Sequence, residues 1–233
     1  MESSRPESRS AGRRLRERYG LLLAAIVATF AVQGIATPGS VEQIAVSALS
    51  SATLLLALWA SDSKPRIIRP AFALVILVMI TSVTQVIDGE TDGSAARVAD
   101  ALLVALAPPV IVIGLLREVR ARQTVTIQAV LGVLCVYLLI GMFFAFVYGA
   151  IGRAGDASFF AGSPPSSVAD CLYYSFTTLT TVGYGDLTAR SNLGHTLSVF
   201  EALLGQIYLV TVVSLLVANL GPAGARRRDG RES

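Results

Sequence analysis

The sequence predicts an all-α integral membrane protein of six transmembrane helices, with a short re-entrant helix and a glycine-bearing loop between the fifth and the sixth. Three observations lead there. The 233-residue chain is 53% hydrophobic and 15% charged, and its apolar residues gather into six runs. Each run is about as long as a crossing of a hydrocarbon core of roughly 30 Å requires. Basic residues then alternate across these runs as the positive-inside rule expects. Finally, Thr180-Thr181-Val182-Gly183-Tyr184-Gly185-Asp186 stands between the last two runs.

The chain opens with residues 1–18, rich in Ser and Arg, a composition expected to lack fixed structure. Arg13, Arg14, Arg16 and Arg18 abut the first apolar run, 19–36. A signal peptide has the same charged start, but no small-residue cleavage site follows this one. The second run, 41–60, carries Ala45, Ser47, Ala48, Ser50, Ser51 and Ala52, small side chains that let helices approach closely in lipid. Trp59 falls at its end, at interfacial depth. The third run, 67–87, ends in the polar Thr81, Ser82, Thr84 and Gln85, and the fourth, 96–116, holds Pro108-Pro109, where a kink is expected. The fifth and sixth cover 124–150 and 193–220.

All but three of the 19 basic residues lie in 1–18, 61–69, 117–122 and the tail 221–233; Arg97, Arg153 and Arg190 fall on the opposite side. Six spans with both termini in the cytoplasm fit this pattern. Five spans with an external start fit it equally. The arginines stop where the bilayer would start, so no nucleic-acid arm is expected. The one histidine and the two cysteines, Cys135 and Cys171 in apolar runs, predict neither a metal site nor a disulfide. No Ser-His-Asp set or phosphate loop is present, so neither an enzyme nor a cofactor is expected.

Between the last two runs, a Gly/Ser/Pro-rich loop at 151–166 leads into Ser167-Val168-Ala169-Asp170, the spacing of a helix N-cap. A short helix over 167–179 follows. In that context the stretch 180–186 resembles the selectivity filter of the potassium-channel family. The resemblance covers about 124–220, and its motif is specific around the filter. Dehydrated K+ needs a cage of oxygens in place of its water shell. Backbone carbonyls supply it when successive residues all turn them to one axis, which requires positive φ at points where Gly183 and Gly185 adopt it easily.

The resemblance implies that Thr181, Val182, Gly183 and Tyr184 coordinate K+, with Gly185 closing the filter and the Thr181 hydroxyl at its cavity end. It implies Val182 and Tyr184 wedged behind the ring. It also implies a homotetrameric pore, since one loop per chain closes no ring. The pore domain would be 124–220, with outer helix 124–150, pore helix 167–179, filter 181–185 and inner helix 193–220. Many relatives have two tryptophans where Tyr173 and Tyr174 stand, so tyrosine hydroxyls are expected to brace the filter, toward Tyr184 or Asp186. Thr177 stands where some relatives carry a carboxylate; with Thr180 it completes the filter's support. The dipole of the pore helix would favour a cation at its C-terminal end.

On the inner helix, Glu201 is an ionisable residue at membrane depth, hence a candidate gating residue; the plainer reading has it hydrogen-bonding hydroxyls behind the pore helix. Gly205 matches the family's inner-helix hinge, or is a packing glycine. Ala202, Gln206, Leu209, Val213 and Val217 share one face expected to line the cavity. His195, near the outer end, reads as a surface or interface histidine, with proton sensing as the alternative.

Six spans with the pore after the fifth place 19–116 where the family's six-helix members carry a voltage sensor. Val98–Leu116 contains no Arg or Lys, so the position is sensor-like and the gating charges are missing. Residues 117–123 link this unit to the pore. The expected partners are K+, membrane lipid and further copies of the chain, at the cell membrane. A potassium-uptake transporter and a non-conducting sensor subunit are the competing classes; the former carries four weaker loops per chain.

Overall fold

The computed structural model describes residues 6–35, 40–60, 69, 72–80, 84, 104, 111–112, 127–154, 158–162 and 167–220. Among them the protein is all-helical, apart from a single isolated bridge between Phe160 and Ala189.

Helix α1 spans Pro6–Ile35. It begins inside the segment expected to lack fixed structure. A proline at the first helical position has its φ preset, and its missing N–H is one the helix would leave unpaired anyway. Ala, Leu, Arg and Glu between Pro6 and Arg18 are good helix formers. Once the apolar run has formed its turns, extending the helix backward costs no new nucleus.

Helix α2 spans Ser40–Ala60. Residues at three- and four-residue spacing on α1, from Tyr19 through Leu22, Ile26 and Thr29 to Gln33, are buried, the pattern of a helix with one packed face. Ser47, Ser50, Ser51 and Ala57 on α2 are buried too. Thr29 and Thr53 donate their hydroxyls to the carbonyls of Ala25 and Leu49, one turn back. The middle of α1 meets the end of α2, where Arg18 Nη1 donates to the Trp59 carbonyl at 3.3 Å and the guanidinium lies 4.4 Å above the indole.

The backbone at 72–80 is helical. Most of the third and fourth apolar runs, the linker 117–123 and the tail 221–233 lie outside the described residues. Two described segments are long and apolar enough to cross a membrane, Val130–Gly152 and Asn192–Val212.

Helices α3 (Ile127–Ala154), α4 (Val168–Leu179) and α5 (Asn192–Leu220) form the unit that positions the site. The short α4 packs against both long helices, and α1 against α3 and α4. Gly141 on α3 leaves room for the Phe176 ring, whose Cζ would stand 2.7 Å from an added Cβ. The Phe30 ring of α1 meets Phe176 edge-on at 5.0 Å. At the other end, Tyr148, Phe159, Phe160 and Tyr174 cluster with ring centroids 4.9–5.9 Å apart. Phe159 and Ala161 then bond to Arg190 and Thr188, at 2.9 and 3.0 Å, which ties the loop before α4 to the chain after Asp186. The sequence showed only a Gly/Ser/Pro-rich loop there.

Candidate functional site

Helix α4 starts with a complete capping box. Ser167 Oγ accepts from the Asp170 amide and the Asp170 carboxylate accepts from the Ser167 amide, both at 3.0 Å. Two otherwise unpaired donors are thereby satisfied.

The C-terminal end of α4 is closed by the chain itself. The last four carbonyls of a helix have no partner within it. Here Phe176 accepts from the Thr180 amide at 3.1 Å, Thr178 from the Thr181 amide at 2.9 Å, and Thr177 from the Gly183 amide at 3.1 Å. Leu179 accepts from the Tyr137 hydroxyl of α3 at 3.4 Å. The Thr180 hydroxyl adds a second bond to Phe176, and that of Thr177 turns back to the Tyr174 carbonyl. The chain thus leaves the helix pinned to it at three amides.

That loop holds φ +53° at Gly183 and +79° at Gly185. Nothing stands within 4 Å of a Cβ added at either, so conformation rather than space calls for glycine. Thr181 also has φ +57°, which glycine placement in the sequence did not signal. A β-branched residue in that region is strained, and its amide bond to Thr178 and its contact with Gln206 hold it there.

Along the loop, Val182 and Tyr184 are 52% and 71% exposed. Tyr173 Oη donates to Asp186 at 2.8 Å, and its ring lies parallel to that of Tyr184 at 6.2 Å. The hydrogen bond to the carboxylate raises the Tyr173 pKa above its ordinary value, so the phenol stays a donor through neutral pH. Tyr174 does not reach the loop: its hydroxyl meets Ser198 of α5 at 2.7 Å, and Ser198 donates to the Gly194 carbonyl.

Residues 132–220 match a family model described as an ion channel. Over 82 residues the chain is 34% identical to the inward rectifier potassium channel Kirbac3.1 of Paramagnetospirillum magnetotacticum, a match covering 35% of this chain and 26% of that protein's length. Over this pore segment the chain is similar to ion channels, a potassium channel among them. With its two apolar spans, this channel segment marks a membrane protein.

Within the channel segment, α5 brings three residues to α4 and the loop. Glu201 is fully buried behind α4, away from the face expected to line a cavity. It meets Ser175 Oγ at 2.5 Å and accepts from Tyr148 Oη at 2.6 Å. Gly205 lies against the end of α4: an added Cβ would collide with the Leu179 carbonyl oxygen and stand 2.8 Å from its Cδ1. Gln206 Nε2 donates to Thr181 Oγ1 at 3.0 Å. Leu209 is exposed and Ala202 half-buried, while the side chains of Val213 and Val217 lie outside the described residues. His195 is exposed, and its ring Nε2 lies 2.7 Å from the Ala189 carbonyl oxygen.

Sequence reasoning missed Tyr148, Ser175, Ser198 and Tyr137 as partners. Their signal is faint: none belongs to a spaced motif, and only the packing of α3, α4 and α5 shows what each faces.

Proposed function

We propose that four copies of this chain form a potassium-selective channel in the cell membrane. The observation that carries this reading is the Thr181–Gly185 loop, held in left-handed backbone at Gly183 and Gly185 and tied to the end of α4. In this reading Thr181, Val182, Gly183 and Tyr184 present oxygens to dehydrated K+. Such coordination replaces the ion's hydration shell. One chain leaves the loop uncovered, and it leaves Val199, Phe200, Leu203, Ile207 and Val210 of α5 exposed. Further copies around the loop cover both, and lipid covers the outer helices. Both termini then face the cytoplasm, by the distribution of basic residues.

Purified protein in a planar bilayer tests this. The expected result is unitary current steps whose reversal potential follows the K+ gradient in mixed K+/Na+ solutions. A smooth flux without unitary steps favours a transporter, and no current at all a non-conducting subunit. Mass measurement in lipid nanodiscs checks the four copies.

The channel is proposed to open with little voltage dependence. Steep gating needs roughly 3–4 charges per subunit crossing the field, each contributing about 2.3 kcal/mol per 100 mV. Val98–Leu116 holds no Arg or Lys, its one charged residue, Asp100, stands near the outer end, and Arg97 and Arg117 flank it at interface depth. Open probability between about −100 and +100 mV should vary shallowly; a steep sigmoid would refute this.

A further inference from the structure

The contact of α5 with the back of α4 contains a proton-counting problem. Ser175 Oγ lies 2.7 Å from the Gly141 carbonyl oxygen of α3 and 2.5 Å from Glu201 Oε1 of α5. Tyr148 Oη lies 2.6 Å from Glu201 Oε2. These are three oxygen–oxygen contacts at hydrogen-bond distance, and each needs one proton. A serine hydroxyl and a phenol bring one proton apiece, and a carbonyl or carboxylate brings none. With Glu201 ionised, two protons serve three contacts, and one pair of oxygens faces lone pair to lone pair inside the protein. With Glu201 neutral, three protons serve three contacts.

We propose that Glu201 is held as the neutral carboxylic acid, and that it is the residue positioning α4 and the loop it carries. Oε1–H donates to Ser175 Oγ, Ser175 donates to Gly141, and Tyr148 donates to Oε2. One carboxyl group thereby joins all three helices. Burial argues the same way: Glu201 is fully buried, and an unpaired carboxylate at that depth is costly. No cation offsets such a charge among the described residues. Among the described side chains, the titratable groups on α3 are Tyr148, the buried thiol of Cys135 and, three turns from Tyr148, Tyr137, which bonds to Leu179; the Arg153 side chain lies outside the described residues. On α4 they are Tyr174, bonded to Ser198, Asp170 at the far cap, Cys171, and Tyr173, which faces Asp186. On α5 they are His195, bonded to Ala189, and Tyr208, bonded to Val133. On α1, among the described side chains, they are Arg18, bonded to Trp59, and Tyr19.

The clamp acts one residue before Phe176, Thr177 and Thr178, whose carbonyls hold the amides of Thr180, Gly183 and Thr181. A shift of Ser175 is therefore passed to the loop. The proton count does not depend on the loop being a filter; only its consequence for selectivity rests on the proposed function.

Difference infrared spectroscopy of the full chain in lipid vesicles at neutral pH tests the proton directly. The wild type should show a carbonyl stretch of a protonated carboxyl group that E201Q lacks. S175A should keep that band and move it to higher frequency, because the acid loses its acceptor. A carboxylate signal removed by E201Q, with no acid band, overturns the proposal whether or not the protein conducts. In bilayers E201Q, whose amide donates and accepts as the acid does, should keep the wild-type K+/Na+ permeability ratio within about twofold, a change worth well under 1.4 kcal/mol. E201L should lower that ratio at least tenfold or abolish current. Equal ratios in E201L and the wild type would refute the positioning role.

Discussion

The two faces of α4 are built on opposite principles. Its back is finished within one chain: Ser175 and Tyr148 meet the buried Glu201 carboxyl, and Tyr174 meets Ser198. Its front is unfinished. The loop from Thr181 to Asp186 is exposed along its whole length, held by backbone bonds to α4 and by side-chain contacts at Thr181, Tyr184 and Asp186. Rigidity is thus supplied from behind, while the front stays open for whatever completes it. The two glycines that matter show the same division. Gly205 at the back is required by space, and Gly183 at the front by conformation.

Alanine at each glycine should separate these reasons. Gly205→Ala puts a methyl group into a backbone carbonyl, which no side-chain rotation relieves. Overpacking of this kind costs about 1–3 kcal/mol per chain. A lower thermal midpoint and loss of the assembled oligomer are expected, and unchanged melting would break the comparison. Gly183→Ala meets no atom but must hold φ +53°, at about 1–2 kcal/mol per chain. Here the oligomer should persist on native gels while K+ over Na+ selectivity disappears; a variant that stays selective would contradict the conformational argument.

Tyr148→Phe removes one of the hydroxyls bonded to the buried carboxyl. Leaving a buried polar group short of a partner costs about 1–3 kcal/mol, so thermal stability should fall, by less than in Gly205→Ala. The smallest effect belongs to the front. Tyr173→Phe frees Asp186 at an exposed position. Melting should not change, whereas current during sustained opening should decay faster than in the wild type. Because the Tyr173 pKa lies above its ordinary value, the wild-type bond is complete at neutral pH and is lost only as pH climbs through that raised pKa. The difference between wild type and variant should therefore persist from neutral to mildly alkaline solution and shrink in strong alkali.

By itself the sequence determined what local chemistry decides. Ser167 and Asp170 announced the start of α4, because a capping box is made by residues three apart. Gly183 and Gly185 announced left-handed backbone, because only glycine takes it without strain. The apolar runs announced the two long spans. The order of α1 from Pro6 was not legible, since composition argued for disorder while propagation from the adjoining span favoured helix. Tertiary structure alone decided which polar groups meet. Tyr173 and Tyr174 are neighbours in sequence, yet they point a turn-fraction apart on α4, so one reaches Asp186 and the other Ser198. Glu201 could have faced a cavity or the back of α4, and the rotation of α5, set by the fit of Gly205 against Leu179, turned it to the back and left Gln206 beside Thr181. Such contacts join residues 13 to 53 positions apart, and no pattern within one helix encodes them.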